Sequence, residues 1–308
     1  MCSKGTRMSQ QYTVECIWQA EARLGEGVVW IEQEQALYWV DILKETLHRY
    51  QPSSGEQQSW SQKPMISAVL PTQIPGESTT FVATYADGVK LLRDGTVYPL
   101  LDPEPQLPDN RLNDAWVAPN GDLWLGSMDC QIKQDSGKFY RLTPALSLSS
   151  LSEQYWVTNG PTFCDKQGYG YFVDTENFII KRGKLSNDGN IKELQDWLHV
   201  DRSFGNPDGI TIDAEQHIWV AHYNGAQVSR YTPEGKLERQ IAIPALNVTK
   251  CAFGGPKLST LYVVSAREGM SEQQLRDYPL SGGVFAIELD DIKGITTPTF
   301  AIKEYPAD

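Results

Sequence analysis

Six short aromatic-aliphatic segments recur along this chain of 308 residues. They read Leu37-Tyr38-Trp39-Val40, Thr80-Phe81-Val82-Ala83, Leu123-Trp124-Leu125-Gly126, Tyr171-Phe172-Val173-Asp174, Ile218-Trp219-Val220-Ala221 and Leu261-Tyr262-Val263-Val264. Counted from Leu37, Phe81, Leu123, Tyr171, Ile218 and Leu261, the successive steps are 42 to 48 residues. A fixed period of that size marks one supersecondary unit repeated, and a β-propeller blade takes about 40–50 residues. The expected fold is all-β, a six-bladed β-propeller, whose central channel is where such folds place ligands.

Length alone would suggest two domains, at roughly 150 residues each. The repeat runs from Leu37 to Val264 without a Pro/Ser/Gly linker or a long charge run. One propeller domain over 1–308 is therefore expected, with 1–11 as a flexible tail. Tyr and Trp are plentiful and favour strands, where large rings pack on a pleated surface. No apolar run approaches the roughly 18 residues of a membrane span. The start, Met1-Cys2-Ser3-Lys4-Gly5-Thr6-Arg7, lacks the apolar stretch of a signal peptide. The five cysteines are scattered without a C-x-x-C pair, which fits reduced thiols in a cytoplasmic protein. Cys164 and Cys251 sit beside apolar residues and read as small buried hydrophobes. A formal net charge of −12 disfavours nucleic acid and anionic membranes as partners, which need clustered Lys and Arg. Most of that acidity serves solubility.

Turn signals punctuate the strands. Asn120-Gly121-Asp122 precedes Leu123, and Asn224-Gly225 precedes Gln227-Val228-Ser229-Arg230-Tyr231. Ser271 is placed to cap a short helix over Glu272-Gln273-Gln274-Leu275-Arg276. Leu146 to Leu151 is ambiguous. Tyr12 to Trp18 and Thr299 to Ile302 are both strand-like, and either can close the ring by pairing first and last blades, which removes exposed edges.

Polar residues stand at equivalent points just before several strand cores: Leu24-Gly25-Glu26-Gly27, Arg111-Leu112-Asn113-Asp114, Thr158-Asn159-Gly160-Pro161 and Asn206-Pro207-Asp208-Gly209. The same point in each blade lies at the same height around the channel. Glu26, Asn113, Asn159 and Asp208 are thus expected to converge, with Gly neighbours permitting close backbone approach. Taken singly, Asn159 and Asp208 read as turn residues; their agreement in phase favours a ligand set. Carboxylates with carboxamide oxygens make a hard oxygen site, suited to Ca²⁺, Mg²⁺ or Mn²⁺. His217 and His222 have zinc-like spacing but no cysteine pair, and a strand core lies between them, so a His-based zinc site is not expected.

At these residues the chain resembles the senescence-marker-protein/gluconolactonase family, which includes regucalcin. The resemblance runs from about Cys16 to Ile287 and rests on ordered motifs: Leu24-Gly25-Glu26-Gly27, Arg111-Leu112-Asn113-Asp114, Asn159-Gly160, Pro207-Asp208-Gly209 and Cys251-Ala252-Phe253-Gly254-Gly255. It implies one divalent metal ion in the channel (calcium, magnesium, manganese or zinc) held by Glu26, Asn159 and Asp208. It also implies substrate contacts from Arg111 and Asn113, and hydrolysis of a sugar-acid lactone to the open-chain acid. Gln131 stands where some members carry an acidic substrate-facing residue, and Pro161 and His222-Tyr223 are further departures that bear on substrate identity.

A metal Lewis acid would polarise the lactone carbonyl and stabilise the oxyanion. Asp208 is the candidate proton acceptor, with a hydroxide held by the cation as the equal alternative nucleophile. Arg111 and Asn113 would orient the ring. A lid over the mouth is expected from Gln131 to Gly137 or from Pro52 to Lys63. The competing readings are a calcium-binding regulatory propeller, an aryl-ester or organophosphate hydrolase, and a scaffold for protein partners. Pure calcium binding needs neither Arg111 nor Asn113, and a scaffold needs no polar residues at channel positions. A small-molecule lactone as partner and a monomer or small homo-oligomer complete the expectation.

Overall fold

A computed structural model of the chain describes residues 12–73 and 80–302. The expected tail, 1–11, lies outside the described residues. Six sheets follow one another along the chain, five antiparallel ones of four strands and one of five with a parallel edge strand. The inner strands are Gly25–Ile31, Ile66–Gln73, Asn110–Val117, Thr158–Cys164, Asn206–Ile212 and Asn247–Gly254. Each packs on the inner strands of neighbouring blades, and the first also packs on the sixth, so the blades form a closed ring.

All six recurring segments fall on the second strand of a blade, from Ala36–Asp41 in the first to Thr260–Ala266 in the sixth. Their burial explains the composition. Trp39, Trp124 and Trp219 are fully buried between blades, and Phe172 and Tyr171 take the corresponding place in the fourth. Flat, wide rings fill the wedge between twisted sheets, and T-shaped pairs such as Trp124–Phe172 and Trp219–Phe253 bridge it.

The two chain ends have different jobs. Glu15–Trp18 pairs with Val284–Glu288 and becomes the outer strand of the sixth blade, closing the ring. The C-terminal stretch does not pair the first and last blades. Phe300–Ala301 instead joins the inner strand of the second blade, in parallel, at Thr72 and Gln73. On its way it crosses the lower end of the channel. Lys293 O accepts from Ala214 N at 2.8 Å, and Thr297 Oγ1 donates to Trp30 O at 2.7 Å. Phe300 is fully buried, which fixes the strap under the ring.

The short helix forms over Glu272–Asp277, where Ser271 and Gln274 make a reciprocal capping box. The ambiguous stretch resolves as a strand, Leu148–Ser150, on the outer edge of the third blade. The segment from Pro52 to Lys63 contains Glu56–Ser61, the outer strand of the first blade. Its turn at 52–55 lies at the strap end, away from the mouth, so it is no lid.

Candidate active site

Every inner strand slips register against its neighbour at one point. The slips fall between Glu26 and Val29, Ile66 and Ala68, Leu112 and Ala115, Asn159 and Thr162, Pro207 and Ile210, and Val248 and Lys250. A bulge leaves residues unpaired and turns their side chains away from the regular alternation. Repeated at the upper end of all six inner strands, it aims polar side chains at the channel axis. Asn113, Asp114 and Asp208 sit within these bulges, and Glu26 and Asn159 border them. Gly27 and Gly160 take left-handed conformations there, at φ 56° and 72°, which only glycine adopts freely. Asp41 braces the approach to Glu26, accepting from Arg23 N at 2.8 Å and Leu24 N at 3.0 Å.

The structure thus brings Glu26, Arg111, Asn113, Asn159 and Asp208 to one cavity of about 270 Å³. All five are buried. Hydrogen bonds orient the neutral members without ambiguity. Arg111 can only donate, so its Nη1, 2.6 Å from Asn113, faces the amide oxygen Oδ1. Asn113 Nδ2 then donates to Thr158 O at 2.7 Å and to Asn159 Oδ1 at 3.0 Å. Asn159 Nδ2 donates to Thr175 Oγ1 at 3.0 Å. Asn159, which lines the cavity, thus has its Oδ1 fixed as an acceptor and its Nδ2 as a donor.

The carboxylates are different. Among the described residues neither Glu26 nor Asp208 has an ion-pair partner. Glu26 Oε2 accepts from Gly27 N at 3.0 Å, and the Gly209 N–H helps Asp208. Burial, with the charge of Asp114 added, pushes Glu26 up to about 7. Burial and the Glu26 charge hold Asp208 well above the usual carboxylate range. Burial also lowers Arg111 from its ordinary value. Two buried acids without an ion pair among the described residues, beside an amide oxygen, fit a hard divalent cation, while Arg111 shares the cavity with them. Among the described residues no three of His, Cys, Asp and Glu gather as a ligand set. The donor set that fits is therefore two carboxylates and the Asn159 amide oxygen.

Gln131 is placed elsewhere. It is exposed and borders a shallow depression with Asp109 and Asp129. Asp129 accepts from Gln131 N at 3.1 Å and from Lys133 N at 2.9 Å, which curls the loop. Ile132, at φ 52°, turns into the cavity in its stead, with Cys130. The stretch from Gln131 to Gly137 thus flanks the mouth through Ile132. His217 and His222 do not meet. His217 Nε2 lies 3.6 Å from Glu238, whereas His222 Nε2 lies 2.9 Å from Ser229 Oγ. Two buried residues escaped the sequence reading. Lys250 bonds Asp114 within the channel, and a lysine, the one charged residue between Asn247 and Gly254, was its visible sign.

Fold and site together define a six-bladed propeller with an acidic, oxygen-rich pocket at one end of its channel. The chain belongs to the SMP-30/gluconolactonase/LRE-like family, whose model, described as an SMP-30/Gluconolactonase/LRE-like region, matches residues 24–267. It is 33% identical over 302 residues to the 6-deoxy-6-sulfogluconolactonase of Pseudomonas putida, covering 94% of this chain and 99% of that protein. It is 32% identical to the regucalcin of Xenopus laevis, over 94% of this chain and 98% of that one. The solved structure of regucalcin from Agrobacterium tumefaciens, described as a calcium-binding protein, superposes with a TM-score of 0.89 at 26% identity, covering 96% and 99% of the two chains.

Proposed function

We propose that the protein is a lactonase that uses one divalent metal ion to hydrolyse a sugar-acid, aldono-type lactone to its open-chain acid. The observation that carries this reading is that two buried carboxyl groups without an ion pair among the described residues share one cavity with an oriented Arg111–Asn113 unit. Relatives named as lactonases support the reaction class. Glu26, Asp208 and Asn159 would hold the ion, which supplies Lewis acidity toward the lactone carbonyl.

The chain's own residues do the rest. Arg111 has N–H groups left over after its bonds to Asn113 Oδ1 and Leu112 O, and these orient the ring and its carbonyl. Asp208 takes a proton from the attacking water and returns it to the ring oxygen as the C–O bond breaks. Leu24, Leu43, Met128, Ile132 and Val157 wall the cavity and limit water. The volume suits one small ring. The protein acts as one domain, as a monomer or small homo-oligomer, in the reducing cytoplasm. Its four described cysteines are all free, and among the described residues no helix is long and apolar enough to cross a membrane.

A calcium-binding role without turnover is the second reading, favoured by the regucalcin relatives. The test is hydrolysis of five- and six-membered aldonolactones by metal-stripped protein, with Ca²⁺, Mg²⁺, Mn²⁺ and Zn²⁺ restored singly. Metal-restored turnover is expected. Tight Ca²⁺ binding with no turnover on any lactone would give the second reading precedence.

A further inference from the structure

The channel holds an ion pair that the proposed reaction does not use. Lys250 and Asp114 are both buried, and Lys250 Nζ bonds Asp114 Oδ1. Lys250 belongs to the inner strand of the sixth blade and Asp114 to that of the third. In a ring of six, those strands face each other, so this bond crosses the channel. Neither residue lines the cavity. The pair nevertheless touches the residues that follow two site residues: the Lys250 stem packs on Gly209, next to Asp208, and Asp114 Oδ2 accepts from Gly160 N, next to Asn159.

The fold is arranged to keep this bond. Asp114 Oδ1 also accepts from Ala115 N at 2.8 Å, and Oδ2 accepts from Gly160 N at 3.1 Å. Both oxygens of Asp114 are therefore committed away from the cavity. The stem of Lys250 lies over Gly209, where an added Cβ would stand 2.6 Å from Lys250 Cγ. The residue after Asp208 thus leaves the space in which the lysine stem lies.

We propose that Lys250 is a positioning residue that sets the cation affinity of the site, by holding Asp114 away from it and fixing an ammonium behind Glu26 and Asp208. A divalent ion then meets two free carboxylates instead of three. This inference rests on the metal-site reading above.

Calorimetric titration of Ca²⁺ into metal-stripped wild type, Lys250→Met and the Asp114→Asn/Lys250→Met double variant tests it. One unit charge acting on a divalent ion at such short range is worth about tenfold or more in affinity. Lys250→Met is expected to bind Ca²⁺ at least about tenfold tighter, and the double variant to return within about threefold of wild type, because its net charge is unchanged. Equal or weaker binding by folded Lys250→Met would overturn the proposal. A double variant as tight as Lys250→Met would overturn the part assigned to Asp114. Should Lys250→Met fail to fold, the double variant decides, since it leaves no charge unpaired: wild-type-like affinity supports the proposal and a tenfold change sinks it. Wild type that binds none of Ca²⁺, Mg²⁺, Mn²⁺ or Zn²⁺ would instead remove the metal-site reading itself.

Discussion

Two clusters of buried charge sit in this propeller, and they are built on opposite principles. In the fifth blade Arg230, almost wholly buried, meets an acid on each nitrogen: Asp213 at 2.7 Å from Nε, Glu215 at 2.6 Å from Nη2, and Glu238 on Nη1. Asp213 also accepts from Trp219 Nε1 at 2.9 Å. In the channel, Glu26 and Asp208 form no ion pair among the described residues: Lys250 bonds Asp114, and Arg111 bonds Asn113 and Leu112 O. Burying a charge costs several kcal/mol unless it is paired and hydrogen-bonded. The first cluster meets that condition and ties the inner strand of its blade to the two strands beyond. The second has no ion pair among the described residues, and burial raises both of its carboxyls instead.

The largest effect that separates the two is expected at Asp208. Asp208→Ala should lower lactone turnover by on the order of a thousandfold or more, while leaving far-UV circular dichroism unchanged. Its stability should move the other way. A carboxyl raised in the folded state destabilises the fold as pH climbs past its unfolded value, near 4. In chelator at neutral pH, Asp208→Ala should therefore melt at or above wild type, and Ca²⁺ should raise the melting temperature of wild type only. A variant that melts well below wild type in chelator would break the comparison, because Asp208 would then be structural. Arg230→Met is the converse. It strands Asp213 in the interior and should cost about 3–5 kcal/mol by urea unfolding, with kcat of the folded protein close to wild type.

A smaller effect comes from acid. His222 is fully buried and shares a hydrogen bond with Ser229 Oγ through Nε2. Burial lowers its pKa to about 4. The unfolded chain takes up this proton near 6.5 and the folded protein does not, so the stability is present above 6.5 and is lost as pH falls toward 4. The loss should approach about 3 kcal/mol at the lower end. His222→Gln should make that limb of the stability-pH curve shallower between 6.5 and 4, leaving the share of His48, which burial also lowers to about 4. An unaltered acid limb would assign the loss to another group.

Most of the frame was legible in the sequence because each blade solves one packing problem and solves it alike. The ring of Trp, Tyr and Phe on the second strands is that solution repeated, and Glu26, Asn113, Asn159 and Asp208 were legible by sharing its phase. What was illegible depends on meetings across the ring or on a single turn. Nothing near Lys250 in sequence announces Asp114, since half the propeller lies between them. The strap at Phe300 reads as an ordinary strand end, because a parallel partner 228 residues earlier leaves no local trace. Gln131 was misplaced for a smaller reason: the backbone N–H bonds to Asp129 shift the inward position by one residue, to Ile132.

That one-residue shift supplies the smallest and sharpest test. Ile132 is partly exposed at the cavity mouth and is not part of the charge cluster. Ile132→Ala should lower kcat/KM for the preferred lactone about tenfold and change the ranking of lactones, as expected for lost apolar contact with substrate. Its Ca²⁺ affinity should match wild type. Gln131→Glu should change kcat/KM by no more than about twofold, the size of an ordinary surface substitution. The reverse result, a changed lactone ranking from Gln131→Glu and none from Ile132→Ala, would show that the loop turns over when substrate enters. The side of the channel would then carry its specificity through a polar contact, and the contrast between an under-paired floor and an apolar wall would have to be redrawn.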